Sequence, residues 1–352
     1  MTAIMEPKRS RRQGTAVTIR DVAAQAAVST MTVSRVLNAD RAVADSTRER
    51  VQAAIAELNY APNPAAQSLA GASRVRIGLL YSNPSAIYLS EFLVGGLDQV
   101  SRANIGLVIE RCEPGEDEMV AAERLVADKI DGVILPPPLC DAVDVIDLLE
   151  ANGIPAVAVA TGRPADNVSA INIDDRAAAR AMTRHLIALG HRRIGFIRGN
   201  PNQTASAERA LGLADALAEA GIAPDPALSV PGLFSYKSGL DAAELLLRVE
   251  PRPTAIFATN DDMAAASVAV AHRHHLDVPG DLTVVSFDDT ELATIIWPQL
   301  TTIRQPIAAM SRAAVDLLVE EIRRRRAGET ARYVRMRLEY ELIERASDGP
   351  PG

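Results

Sequence analysis

The 352-residue sequence has two cysteines, Cys112 and Cys140, and one tryptophan, Trp297. Two thiols supply neither a disulfide framework nor a zinc ligand set, so both are expected to be reduced packing residues. No run of 18 consecutive apolar residues occurs, and the early segment KRSRRQG is polar and basic, unlike a signal peptide. No membrane partner is expected, and the chain reads as cytoplasmic, associated with the nucleoid if it binds DNA. No nucleophile–base pair stands out, nor do paired carboxylates with an acid–base partner, so an enzyme is not expected. Gly195-Phe-Ile-Arg-Gly199 lacks the third glycine or the lysine of a phosphate loop. His272, His274 and His275 crowd one helix end without acids or cysteines to complete a metal site. Like the run Arg323 to Arg326, they complement the negative end of a helix. Neither metal nor cofactor is expected.

What is present describes a globular protein of two or three domains, with 48% hydrophobic and 23% charged residues and a formal net charge of -8. Against that acidic total, residues 1 to 35 hold Lys8, Arg9, Arg11, Arg12, Arg20 and Arg35 and only two acids, Glu6 and Asp21. The basic charge is local, and residues 1–16 read as a basic, disordered arm.

Residues 17 to 38, VTIRDVAAQAAVSTMTVSRVLN, read as two short helices around a turn. Thr18 with Asp21 has capping-box spacing, and Val22, Ala23 and Ala26 form an apolar stripe. The turn is Ala27-Val28. Ser29 caps a second helix, Thr30 to Leu37, with Val33, Val36 and Leu37 inward and Thr30, Met31, Ser34 and Arg35 outward. An ordinary helical hairpin would share this shape. The short hydroxyls, methionine and arginine of the outer face suit a DNA groove better than a solvated surface. This is the layout of a helix-turn-helix. A third helix from Asp45-Ser46 to about Asn59, with Val51, Ile55 and Leu58 at helical spacing, closes a small domain over 17–62. Residues 63–72 could pass for a linker, yet Asn63, Pro64 and Gly71 are placed to start and stop a short helix. So short a helix holds only against a partner.

These stretches, with STRERVQAAIAELNYAPNPAAQSLAG following, resemble the head of a LacI/GalR-family transcription regulator. Ala27 departs from the glycine usual in the family's turn. The resemblance implies a dimer on double-stranded DNA, at an imperfectly palindromic operator, and an effector that controls binding. Thr30, Met31 and Arg35 are assigned to base edges, Arg35 for guanine and Met31 for a thymine methyl. By resemblance Thr18, Ser29, Thr32, Ser34, Asn38, Thr47, Tyr60 and Asn63 contact phosphates. Residues 63–72 become a hinge helix that offers Ala66, Gln67 and Leu69 to the minor groove, Leu69 as the wedge.

From Val75 strands and helices alternate, which indicates doubly wound parallel sheets. Together with the resemblance this gives an all-α head and an α/β two-lobed periplasmic-binding-protein-like core over 73–346. The first lobe is expected at about 74–172 plus 304–331 and the second at about 173–303 plus 332–346, with a single strand over Tyr333 to Leu342. Ligands of such folds bind in the cleft at the strands' carboxyl ends. A sugar-like effector needs carboxylates, amides, an arginine fork and an aromatic face. Asn260, Asp261, Asp288, Asp289 and Arg209 qualify by position, although Asp261 or Asp289 alone reads better as a helix cap or a turn contact. By resemblance the effector contacts are Arg111, Arg209, Phe234, Asn260, Asp288, Trp297 and Gln305. A buried core position suits Trp297 about as well. Ala160 stands where relatives often place a polar contact, which points to an effector of different size or hydroxyl pattern.

The resulting expectation is a repressor of carbohydrate-utilisation genes. A sugar-binding or sugar-processing protein with an incidental helical appendix is the alternative. The chain lacks leucine heptads after the core, so a homodimer is expected rather than a tetramer.

Overall fold

The computed structural model describes residues 17–37, 43–58, 60, 75–103, 105–112 and 117–352. The expected basic arm, Asn38, and the hinge helix with Asn63, Ala66, Gln67 and Leu69 lie outside the described residues. Two compact units divide between Arg74 and Val75.

In the first unit, the Asp21 carboxylate accepts the Thr18 N–H at 2.8 Å and the Thr18 hydroxyl at 2.7 Å, fixing the start of α1 (Ile19–Gln25). Those two bonds hold the Asp21 carboxyl below the usual carboxylate range. The turn closes through Val28 N–H to Ala23 O at 3.0 Å, with Ala27 at φ 51°. Ser29 Oγ then accepts the Thr32 N–H at 3.1 Å and opens α2 (Thr30–Leu37). α3 (Asp45–Glu57) follows and is tied to α1 by Gln25 Nε2 to Glu57 Oε2 at 2.8 Å. Val22, Ala26, Val33, Val36, Val51 and Ala54 form the core, with Ile55 and Leu58 at its edge. A core so small gives only marginal stability.

The second unit holds two six-stranded sheets. The first runs in the order β11-β5-β4-β3-β1-β2 and contains β1 (Arg76–Tyr81), β2 (Gly106–Arg111), β3 (Gly132–Leu135), β4 (Ala156–Val159), β5 (Ser169–Asn172) and β11 (Arg335–Arg337). The second runs β12-β10-β9-β8-β6-β7, from β6 (Ile194–Ile197), β7 (Ser229–Val230), β8 (Ala255–Ala258), β9 (Thr283–Asp288), β10 (Thr301–Arg304) and β12 (Glu341–Ile343). All pairings are parallel except β10 with β12. Central strands such as β3, β8 and β9 are buried throughout, as strands covered on both faces must be.

The covering helices are α4 (Ala86–Arg102), α5 (Glu118–Ala127), α6 (Val143–Ala151), α7 (Asp175–Ala188), α8 (Thr204–Glu219), α9 (Tyr236–Leu247), α10 (Asp261–Arg273), α11 (Leu292–Ile295) and α12 (Ile307–Arg326). α4 lies against α12 so closely that a Cβ on Gly95 would clash with the Ala308 carbonyl. Among the described residues no helix is long and apolar enough to cross a membrane.

The strand expected over 333–342 is two strands in different sheets. Arg335–Arg337 pairs with β5 in the first lobe, and Glu341–Ile343 pairs with β10 in the second. The chain therefore crosses between lobes after β5, after β10, and finally between Arg337 and Glu341. The second lobe does not own all of 332–346.

Candidate functional sites: a groove-reading helix and an interlobe cleft

On the head, the i, i+3 spacing of Val33 and Val36 in α2 turns both inward and leaves Thr30, Met31 and Arg35 exposed, Met31 by 65%. The Ser29 and Thr32 hydroxyls lie 2.9 Å apart at the start of the same helix, and Ser34 is half-buried. Thr18 is exposed at the start of α1, Thr47 half-buried in the first turn of α3, and Tyr60 packs at the core's edge.

The second site lies between the lobes, where strands of both sheets end. From the first lobe come Asn83, Ser85 and Tyr88 beyond β1, Pro137 beyond β3 and Ala160 beyond β4. The second contributes Gln203, Arg209, Phe234, Asn260, Asp288 and Gln305. Five of the seven expected effector residues are thus brought together. Arg111 and Trp297 do not line the cavity. Arg111 ends the edge strand β2 and is exposed, and Trp297 lies after α11 with 80% of its surface in solvent. The tryptophan is accordingly neither a stacking face for this cleft nor a core residue.

Arg209 is built into the cleft wall. Its Nε donates to Asp175 Oδ1 at 2.8 Å and its Nη1 to Thr259 O at 2.6 Å, and its guanidinium carbon is 3.6 Å from the Phe287 ring centroid. Burial pushes the Asp175 carboxyl up, and the Arg209 charge opposes that rise. Asp288 is 3.9 Å from Arg209 Nη1 and accepts the Gln305 amide at 2.5 Å. Burial raises the Asp288 carboxyl well above its usual range, Arg209 opposes the rise, and the nearby Asp261 adds to it. Asp261 is a turn contact: its carboxylate takes the Ser286 hydroxyl at 2.6 Å and the Thr290 N–H at 2.7 Å. Burial pushes it up to about 7. Asp289 likewise binds Arg304 and Arg345, at 2.7 and 2.6 Å.

Asn260 is partly spent on structure, its oxygen capping α10 at Met263 N–H (3.0 Å) and its amide donating to Phe234 O at 3.1 Å. Two buried polar atoms of the lining have no hydrogen-bond partner, Tyr88 Oη and Gln305 Oε1. Ala160, Phe234 and Asp288 all carry positive φ, of 60°, 56° and 113°. Such conformations cost of order 1–3 kcal/mol each and cluster where a site demands them.

Sequence reasoning missed Asn83, Ser85, Tyr88 and Gln203. The signal available was position: Asn83 and Ser85 follow the carboxyl end of β1, where ligands of this architecture bind. Also missed was a set of bonds that clamps the lobes. Asp141 accepts Thr161 Oγ1 at 2.6 Å, Thr204 N–H at 2.9 Å and Thr204 Oγ1 at 2.8 Å, while Arg163 meets Glu208 at 2.6 Å and Ser85 donates to Asp262 at 2.6 Å. With these bonds made, the cleft cavity is about 30 Å³. That is room for a few waters.

Cys112 and Cys140 are both buried, and burial raises the Cys140 thiol. The histidines at the end of α10 include His274, which lies 3.1 Å from Glu244.

Residues 18–63 match the model of bacterial regulatory proteins of the lacI family, and residues 183–347 match a periplasmic binding protein-like domain. The chain is 33% identical over 310 residues to the HTH-type transcriptional repressor PurR of Photobacterium profundum, covering 87% of this chain and 92% of that one. It is 30% identical over 326 residues to catabolite control protein A of Priestia megaterium, covering 92% and 98%. Among solved structures it resembles a lac repressor dimer bound to operator and the anti-inducer ONPF, with a TM-score of 0.76, 30% identity and coverage of 95% and 99%. A complex of the transcriptional regulator CelR with cellobiose gives a TM-score of 0.69 at 32% identity, covering 94% and 99%. With a lacI-type head, a two-lobed binding-protein core and such relatives along nearly its whole length, the chain belongs to the LacI/GalR family of transcription regulators.

Proposed function

We propose that the protein is a homodimeric repressor that reads an imperfect palindrome with Thr30, Met31 and Arg35 of α2 and is controlled by a sugar-like effector in the interlobe cleft. The observation that carries the effector reading is the cleft's unspent polarity. Tyr88 Oη and Gln305 Oε1 are buried without partners beside Arg209 and Asp288. A buried polar atom without a partner costs about 1–3 kcal/mol, which a ligand hydroxyl would recover. Paired hydroxyls against a carboxylate, an amide and an arginine are the chemistry of sugar recognition, and the cellobiose and ONPF complexes of relatives support the same class. Because the cleft holds about 30 Å³ when clamped, entry requires the lobes to part.

Dimerisation is supported by apolar side chains left in solvent, Val94 and Leu97 on α4 and Ile295 and Trp297 around α11. The carbohydrate genes under control remain part of this proposal. Relatives that share both head and core are transcription regulators, which favours this reading over a sugar-processing protein.

The test is operator selection from a random DNA pool at fixed salt, with and without mono- and oligosaccharides and nucleobases. A palindrome whose binding shifts with one sugar class supports the reading. Salt-sensitive binding without sequence preference, indifferent to every ligand, overturns it.

A further inference from the structure

The second lobe contains another cavity, separate from the cleft and much larger, at about 240 Å³. Its walls are apolar: Ile194 and Phe196 of β6, Leu213 and Leu217 of α8, and Leu228 ahead of β7. Its volume is ample for a small apolar molecule, since an enclosed apolar cavity of about 150 Å³ already takes up benzene. Its lining is charged at Arg192, Arg193 and Asp225. Arg193 is matched there, 3.3 Å from Asp225 and donating to Pro251 O at 3.0 Å. Arg192 is exposed, and among the described residues its guanidinium donates to the backbone carbonyls of Ile187 and His191 and meets no carboxylate.

An apolar chamber edged by one cation that meets backbone carbonyls but no carboxylate among the described residues has the character of a site for an amphiphilic anion. We propose that this cavity is a second small-molecule site that takes a monocarboxylate with an apolar body of about eight carbons, its head group at Arg192. The site would communicate with the cleft through α8. Ala210, Leu213, Ala214 and Leu217 face the cavity, and Arg209, next to Ala210 in the chain, forms the cleft wall. A ligand wedged beneath α8 therefore bears on the helix that positions Arg209, and by linkage occupancy of either site changes affinity at the other by the same factor.

The experiment uses the full-length protein with sodium octanoate, and 1-octanol as the uncharged control, followed by titration calorimetry and thermal unfolding. Expected is saturable one-site binding of octanoate that raises the melting temperature. Arg192→Gln should weaken octanoate by about three- to tenfold and leave octanol unchanged. Ala214→Trp should abolish both by filling the chamber, and Gln305→Ala in the cleft should leave both intact. No saturable binding below about 10 mM overturns the proposal. So does equal loss of octanoate and octanol in Arg192→Gln, or loss of octanoate in Gln305→Ala, which would place the ligand in the cleft. Should Ala214→Trp fail to fold, the exposed Arg192→Gln carries the test alone.

Discussion

Gln305 donates its side-chain amide to the Asp288 carboxylate at 2.5 Å, and its own carbonyl oxygen is left buried at the cleft without a donor. The pair fixes which end of each group a ligand can use. Asp288, already holding one donor and pushed up by burial, offers its remaining valence, and Gln305 offers its unpartnered carbonyl oxygen as an acceptor.

Tyr88 supplies the complementary case, a buried hydroxyl with nothing to bond. Tyr88→Phe is expected to leave the unliganded protein as stable as the parent, or more stable by up to about 1 kcal/mol, because an unsatisfied group is removed. Effector affinity, measured by calorimetry with the sugar found by screening, should fall about tenfold. A stability loss without an affinity change would mean that the hydroxyl bonds within the protein and not to ligand.

Ala27 holds the turn of the head at φ 51°, a left-handed conformation that costs an alanine roughly 1–2 kcal/mol and a glycine almost nothing. Ala27→Gly should slow amide exchange in α1 and α2 by a factor equivalent to about 0.5–1 kcal/mol, once glycine's larger unfolded-state entropy is counted. Faster exchange in the variant would show that the alanine side chain contributes packing that the exposed turn does not suggest.

Arg35 lies on the outward face of α2. Replacing it with alanine should cost about 1–3 kcal/mol of operator binding and relax preference at one base pair. Competition assays on single-base operator variants check this. A uniform loss across all sequences would make Arg35 a phosphate contact.

His185 Nε2 is 2.6 Å from Asp348, which raises the imidazole and lowers the carboxyl. The raised histidine stabilises the fold fully below its unfolded value of 6.5, and that stability is lost as pH rises through the higher folded value. The lowered Asp348 stabilises above 3.8 and loses its contribution as pH falls through its depressed folded value. The pair is therefore worth most between those two values. Melting temperature across pH 5 to 8 should decline more steeply in the parent than in His185→Gln; parallel curves would remove the pair from the account.

Much of this was legible in the sequence because the chemistry was local. Capping by Thr18 and Ser29, and apolar runs such as Gly132–Leu135 and Ala255–Ala258, need only a few neighbouring residues to read. The strands β5, β7 and β10 were not legible: they are two to four residues long, and β5 and β10 carry serine or threonine that reads equally well as loop. The alternation from Tyr333 to Leu342 looks like one strand since nothing local marks the passage from one sheet to another. At the cleft, Asn260 and Asp288 could be found as polar residues at strand ends, whereas Gln305 follows the illegible β10 and came only from the family resemblance. Arg111 and Trp297 could not be excluded in that way, because their exposure follows from an edge strand and a surface loop that only the assembled lobes define.

The final passage between lobes, from Arg337 to Glu341, sets a constraint on biosynthesis. The first sheet awaits β11 at one edge and the second awaits β12 at the other, while α12, which covers the first sheet, also comes late in the chain. On the ribosome neither lobe can complete itself as a free-standing unit before nearly the whole polypeptide has emerged. A truncation just before Arg335 would remove an edge from both lobes at once.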